Sequence, residues 1–288
     1  MNIPRYWAKA ERGVSVGGQR YRFVAWQGSD ESPEHARLLA ERALAERVAR
    51  KERGERLGQY PKGGAPLREE ILEELTDARG ERVAVITRNA AGCLVLNTAR
   101  VMFIDLDFAQ AASLGRAGCW AFVRSLFSRP RPARQSPEEG ALERVRAWHA
   151  EHPGWAVRVY RTRLGLRLLV THALFDPASP EALAAMRKLG ADRRYELLCR
   201  SQTCFRARLT PKPWRIGLKR PPVRYPWESP SQERAQRQWE RAYEAKIGGY
   251  DVCRLLTTLG SAAPHPEAEQ IVRLHDGYVL SSLGRPLA

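Results

Sequence analysis

Two periodicities divide this chain. Apolar and polar positions alternate with period two in short runs, as on a half-buried strand, and recur every three or four residues in longer runs, as on an amphipathic helix. A short apolar-aromatic segment lies at 21–26, and the strand-like runs are 81–87, 92–97, 101–108, 155–161, 166–171 and 204–210. Ser32-Pro33-Glu34 opens a helix to about Arg53, with an apolar stripe of Ala36, Leu39, Ala40, Ala43, Leu44 and Val48. A second helix is predicted over 67–75, a partly helical stretch over 109–127, and a Pro- and Arg-rich loop over 128–135. Ser136-Pro137-Glu138-Glu139 reads as a capping box that launches a helix through Trp148. Further helices are expected from Ser179-Pro180 to about Leu189, over 194–200, from Ser229-Pro230 to a break at Gly248-Gly249, and over 266–280. The turns 89–92, 97–100 and 162–165 are short enough to close hairpins.

From residue 101 to 210 the order is strand, helix, two strands, helix, strand, which is the β-α-β-β-α-β order of a ferredoxin-like sandwich. The predicted fold is therefore α+β: a ferredoxin/RRM-like antiparallel sheet core at about 100–215, an N-terminal α/β extension, and a C-terminal helical tail. Residues 1–228 form the first expected domain and 229–288 the tail. The helix-covered face should take the apolar alternates Met102, Ile104, Leu106, Val157, Val159, Leu166, Leu168, Val170, Phe205, Ala207 and Leu209. The other face, expected to be open, then carries Asp105, Asp107, Arg158, Tyr160, Arg167, Thr171, Arg206 and Arg208.

Two like charges on one strand face need water, arginines or a metal beside them. Hard carboxylate oxygens at this spacing suit Mg²⁺ or Mn²⁺, so Asp105 and Asp107 are the candidate metal ligands and catalytic residues. Arg158, Arg167, Arg206 and Arg208 are the candidates for nucleotide phosphate, and His172 stands at a strand end where it can turn toward them. A structural network in which Arg167 and Arg206 simply neutralise the aspartates is the alternative. His149 and His152 read as structural.

Charge extends the picture. Of 48 basic side chains only seven are Lys, and the formal net charge is +16, which favours a polyanionic partner, nucleic acid before membrane. Between Arg187 and Arg224 twelve basic residues face two acidic ones. Lys212, Trp214 and Arg215 are the candidate nucleic-acid contacts there, with Tyr225 and Trp227 also available for stacking. The five cysteines form no Cys-x-x-Cys pair, which suits reduced thiols better than disulfides or zinc. No run approaches the length of a membrane span or the apolar core of a signal peptide, so a cytoplasmic location is expected.

The run Phe103-Ile104-Asp105-Leu106-Asp107 resembles the first catalytic motif of archaeo-eukaryotic primase-polymerases, hydrophobic-Asp-hydrophobic-Asp on the first strand of an RRM-like core. The hairpin from Tyr160 to Leu169 is similar to their second motif, with Arg167 standing where that family carries His. The family's third motif, an acid on a late strand, has no counterpart in 204–210. The resemblance covers about 80–215. It implies template-directed nucleotidyl transfer in replication or repair, with a nucleoside triphosphate and nucleic acid, DNA before RNA, as partners. A catalytically degenerate palm that serves as a nucleic-acid-binding or scaffold module is the alternative. A diguanylate cyclase, a haloacid-dehalogenase phosphatase and an aromatic-faced RRM each lack a needed feature: the acidic turn, a parallel sheet, and stacking aromatics on the central strands.

Overall fold

The computed structural model describes residues 1–55, 67–108, 136–281 and 283–288. The stretches predicted as partly helical at 109–127 and as a loop at 128–135 lie outside them. The protein is a mixed α+β structure with antiparallel sheets and, among the described residues, six α-helices. A long hairpin comes first, β1 (Tyr6–Val16) and β2 (Gln19–Ser29), paired along its whole length. Its two-residue turn is Gly17-Gly18, both at positive φ, the geometry that matches the twist of a tight hairpin. Helix α1 (Pro33–Glu52) packs on it through Ala36, Ala40, Leu44 and Val48. The Ser32 hydroxyl accepts the His35 N–H and caps the helix.

Two four-stranded sheets form the body. One has the order β3-β4-β5-β9, from Glu70–Thr76, Arg82–Arg88, Leu94–Thr98 and Phe205–Arg208. The other has the order β10-β7-β8-β6, from Cys253–Leu259, Val157–Thr162, Gly165–Val170 and Phe103–Asp107. The helices between and after them are α2 (Pro137–Ala150), α3 (Pro180–Leu189), α4 (Arg193–Gln202), α5 (Pro230–Ile247) and α6 (Pro266–Val279). The Ser136 capping box is formed with Glu139 in both directions.

Strands β6 and β8 are neighbours, with β7 beyond β8, as the order of elements requires; β9, however, ladders with β5. The facing edges β6 and β9 meet at the half-buried Tyr195 of α4. Its hydroxyl lies 2.9 Å from the Phe103 carbonyl oxygen and 3.1 Å from that of Arg206, and it accepts the Arg206 N–H at 3.3 Å.

Three expectations about elements change. Residues 70–76 are strand, because Glu70-Ile71-Leu72-Glu73-Glu74-Leu75 satisfies either period and pairing with β4 decides it. The turn at 97–100 closes no hairpin: Thr98 Oγ1 donates to the Val101 carbonyl, Ala99 N–H to the Val83 carbonyl, and the chain passes from one sheet to the other. The expected helical tail also contains β10, which extends the central sheet at β7.

All eleven residues assigned to the apolar face are buried, in one core with α2, α3 and α6. The face expected to be open is covered. Tyr160, Arg167, Thr171 and Arg206 are buried there with Phe103, because α6 lays His275 and Asp276 over Phe103, Tyr160 and Arg167. Among the described residues no helix is long and apolar enough to cross a membrane.

Candidate functional site

Strand β6 ends at Asp107, opposite Gly165 of β8, and Asp105 stands opposite Arg167. The strands approach so closely at this end that a Cβ on Gly165 would lie 1.9 Å from the Leu106 carbonyl oxygen. Glycine is therefore required beside the aspartates. Both carboxylates fall on the same strand face by alternation, but their surroundings differ.

Asp105 is clamped. The Arg167 guanidinium donates to both of its oxygens, at 2.8 and 3.2 Å. Arg167 is only 1% exposed, whereas the Asp105 side chain is 42% exposed. The arginine also donates to the Arg208 carbonyl at 2.8 Å and to His275 Nε2 at 3.4 Å. His275 is held neutral, its pKa pulled down by burial and by Arg167, so Nε2 is free to accept and Nδ1–H donates to Asp276 Oδ1 at 2.9 Å. Asp276 in turn accepts from Tyr160 and Arg158. A continuous polar chain thus runs from α6 through Arg167 to Asp105.

Asp107 reaches solvent and has no hydrogen-bond partner among the described residues. Partial burial, then the negative charges of Asp105 and Asp192, raise its pKa above the usual carboxylate value, while Lys212 and Arg215 pull it the other way. Those cations come from the segment just after β9. Pro211 and Pro213 end the strand, and the single 3-10 turn Pro213–Arg215 carries Lys212 and Arg215 toward β6.

Arg208, Lys212 and Arg215 have no carboxylate ion-pair partner among the described residues. Arg208 donates only to the carbonyls of Thr210 and Ala288. Burial lowers the pKa of all three; Arg167 lowers Arg208 further, Arg208 and Arg215 do so for Lys212, and Arg208 and Arg163 for Arg215. This is a concentrated, uncompensated positive field next to two carboxylates.

The other residues singled out from sequence are engaged elsewhere. Arg158 donates to Tyr160 Oη and Asp276, both at 2.7 Å. Arg206 is buried against Glu69, its Nη2 2.8 Å from each carboxylate oxygen; Thr87 and Asn97 continue that network. His172 sits beyond the end of β8 farther from Gly165, between Trp155 and Phe175, and accepts the Ala156 N–H. Burial lowers its pKa. Trp214 is 45% exposed, with Lys212 and Arg220 over its ring.

Sequence reasoning missed Asp192, whose charge reaches Asp107, and His275. The Asp192-Arg193-Arg194 start of α4 is legible as a cap, but its proximity to β6 is set by the sheet. Among the described residues no group of three or more His, Cys, Asp or Glu is close enough to hold a metal ion. Residues 56–66, 109–135 and 282 contain no Asp, Glu or His. A cation at this place therefore takes at most Asp105 and Asp107 as carboxylate ligands. Asp107 has free oxygens and each Asp105 oxygen keeps a second lone pair, so the pair fits a Mg²⁺-type ion that retains water and phosphate oxygens in its shell. Comparison with protein-family models, curated proteins and solved structures finds no match.

Proposed function

We propose that this protein is primase-polymerase-like: it binds a nucleoside triphosphate with Mg²⁺ or Mn²⁺ at Asp105 and Asp107, and nucleic acid, DNA favoured, alongside, for template-directed nucleotidyl transfer. The observation that carries the reading is the juxtaposition of an Asp-x-Asp pair with three cations, Arg208, Lys212 and Arg215, that form no carboxylate ion pair among the described residues. The sheet order β7-β8-β6, with β9 held across from β6 by Tyr195, supports an RRM-like core. When bound, the metal would neutralise the phosphates and activate the attacking hydroxyl. The chain's own residues divide the remaining work. Lys212 and Arg215 draw in and orient phosphate, Arg208 supports them from β9, and Arg167 fixes the rotamer of Asp105 while shielding its charge from Asp107.

A second reading, a metal-independent nucleic-acid-binding palm, is favoured by one feature. Arg167 already satisfies both oxygens of Asp105, as in a purely structural ion pair. Titration of a nucleoside triphosphate with Mn²⁺ separates the two. The first reading expects metal-dependent binding that Asp107→Ala reduces at least about tenfold and Lys212→Ala/Arg215→Ala abolishes. Binding of single- or double-stranded DNA that falls steeply with salt but ignores metal and Asp107→Ala supports the second. If neither triphosphate nor DNA binds at low salt, both readings fail.

A further inference from the structure

A cavity of about 880 Å³ lies away from Asp105 and Asp107. The β1–β2 hairpin and α1 form one side, the start of β3 and the end of β4 the floor, and the segment from Pro221 to Trp227 with α5 the other side. Its walls are unusually aromatic: Trp7 and Trp26 from one face of the hairpin, and Tyr225 and Trp227 opposite. Guanidinium groups cover two of these indoles, Arg68 over Trp26 at 4.6 Å and Arg237 over Trp227 at 4.5 Å.

The acidic groups of the lining are already neutralised. Glu69 pairs with Arg206, Glu70 with Arg237, and Glu240 with Arg88 and Arg237. Glu46 lies 3.4 Å from Arg42, and Arg47, Arg50 and Arg68 also line the cavity, so its walls lean basic; Arg224 is exposed.

Four lining side chains carry a buried polar atom with no hydrogen-bond partner among the described residues; Arg88 Nε is one, and it sits in an ion pair 3.1 Å from Glu240 Oε1, which leaves the Trp7 and Trp227 indole Nε1–H groups and Gln236 Oε1 as three orphans. Gln236 is 4% exposed, and its amide N–H₂ is already committed to Glu240 Oε1 at 3.0 Å. Buried donors and acceptors are almost always paired in folded proteins, so three orphans around one cavity call for a partner. That partner must be flat, to lie among indoles, and able both to accept from an indole N–H and to donate to an amide oxygen.

We infer that this cavity binds a nucleobase, read along its donor and acceptor edge by Trp7, Trp227 and Gln236, with any attached phosphate directed to Arg224. Aliphatic and lipid-like ligands leave all three polar groups unpaired, and a bare anion makes no use of the indole faces. The base can belong to a free nucleotide or to an unpaired position in a nucleic-acid strand. The inference is independent of the metal reading at Asp105 and Asp107.

The test is tryptophan fluorescence and calorimetric titration of the full chain without divalent cation. The probes are a set of nucleosides, their monophosphates, ribose 5-phosphate, a single-stranded oligonucleotide and a duplex. At least one base-containing probe is expected to bind with tryptophan quenching, and ribose 5-phosphate is not. Trp227→Phe, which removes only the N–H and part of the ring, and Gln236→Leu should each weaken binding about tenfold. Melting curves of the variants establish that they are folded.

Monophosphate and oligonucleotide binding alike identifies a mononucleotide site; binding of the single strand alone identifies a strand site. Two results overturn the inference: no base-containing probe binds, or ribose 5-phosphate competes as well as a monophosphate. The second is readable on the unaltered protein. Folded Trp227→Phe and Gln236→Leu proteins that bind unchanged also overturn it. The Asp107→Ala protein should bind these probes normally, so loss of metal-dependent triphosphate binding with this binding intact removes only the proposed function.

Discussion

Replacing Asp105 by Ala exposes the physical asymmetry of the Asp pair. Arg167 is fully enclosed, and Asp105 is its one carboxylate partner among the described residues. With that carboxylate gone, the guanidinium retains one backbone carbonyl at 2.8 Å and one neutral imidazole at 3.4 Å. Burial opposes its charge, and the Asp105 charge and hydrogen bonds are what raise its pKa in compensation. Breaking a buried ion pair from one side costs roughly 3–5 kcal/mol, because the other charge stays buried. At about 2–4 °C per kcal/mol for a chain of this size, the melting temperature should fall by roughly 10 °C. Asp107→Ala, which removes an exposed carboxylate without a hydrogen-bond partner among the described residues, should stay within about 0.5 kcal/mol of the parent. The double variant Asp105→Ala/Arg167→Met should regain most of the loss, since an apolar side chain of similar length needs no counter-charge. Differential scanning calorimetry or urea unfolding of the parent and these three variants measures each effect. A melting temperature for Asp105→Ala within about 2 °C of the parent, or a double variant no more stable than the single one, would refute the reasoning. The practical consequence is that inactivity in an Asp105 variant reports folding as well as chemistry, whereas Asp107→Ala reports the site.

Three further outcomes follow from the same geometry. Gly165→Ala must push β8 away from the Leu106 carbonyl, so urea unfolding should show a loss of about 2–4 kcal/mol; an unchanged midpoint would show that β6 and β8 separate freely. Tyr195→Phe removes the hydroxyl between β6 and β9 and strands the Phe103 carbonyl, for a loss of about 1–3 kcal/mol in the same assay; a neutral substitution would mean that the seam needs no bridge. Because burial depresses the His275 pKa, the unfolded chain binds more protons than the folded one from the folded value up to about 6.5. Stability is thus fully present above that window and falls as pH drops through it. His275→Gln should flatten the slope of stability between about pH 7 and 5, leaving the part due to His172; an unchanged slope would exclude His275 as its source.

Much of the architecture was legible in the residues. Period-two alternation placed Met102, Ile104 and Leu106, and their counterparts on β7, β8 and β9, on the buried side, because a strand puts every second side chain on one face whatever its neighbours. Ser32, Ser136, Ser179 and Ser229 each cap a helix with Pro in its first turn, as their short-range spacing required. Segments that satisfy two periods, such as Glu70–Thr76, were not decided locally. Nor was the polar face of the central sheet. A row of Asp, Arg and Tyr at alternate positions has the same pattern whether it meets water or a helix bearing a histidine and a carboxylate.

The sequence by itself therefore determined the phase of β6 to β9, the Ser-Pro helix starts, the Asp105–Asp107 pair and the basic surplus near it. Only the tertiary structure decided which of those basic residues remain available. Asp276 from α6, Glu69 from before β3 and Asp105 itself neutralise Arg158, Arg206 and Arg167, while Arg208, Lys212 and Arg215 are left without carboxylates among the described residues. The reason is physical. Charge compensation acts over a few ångströms between side chains far apart in sequence, so it is fixed by how sheets and helices pack and leaves no local pattern in the chain.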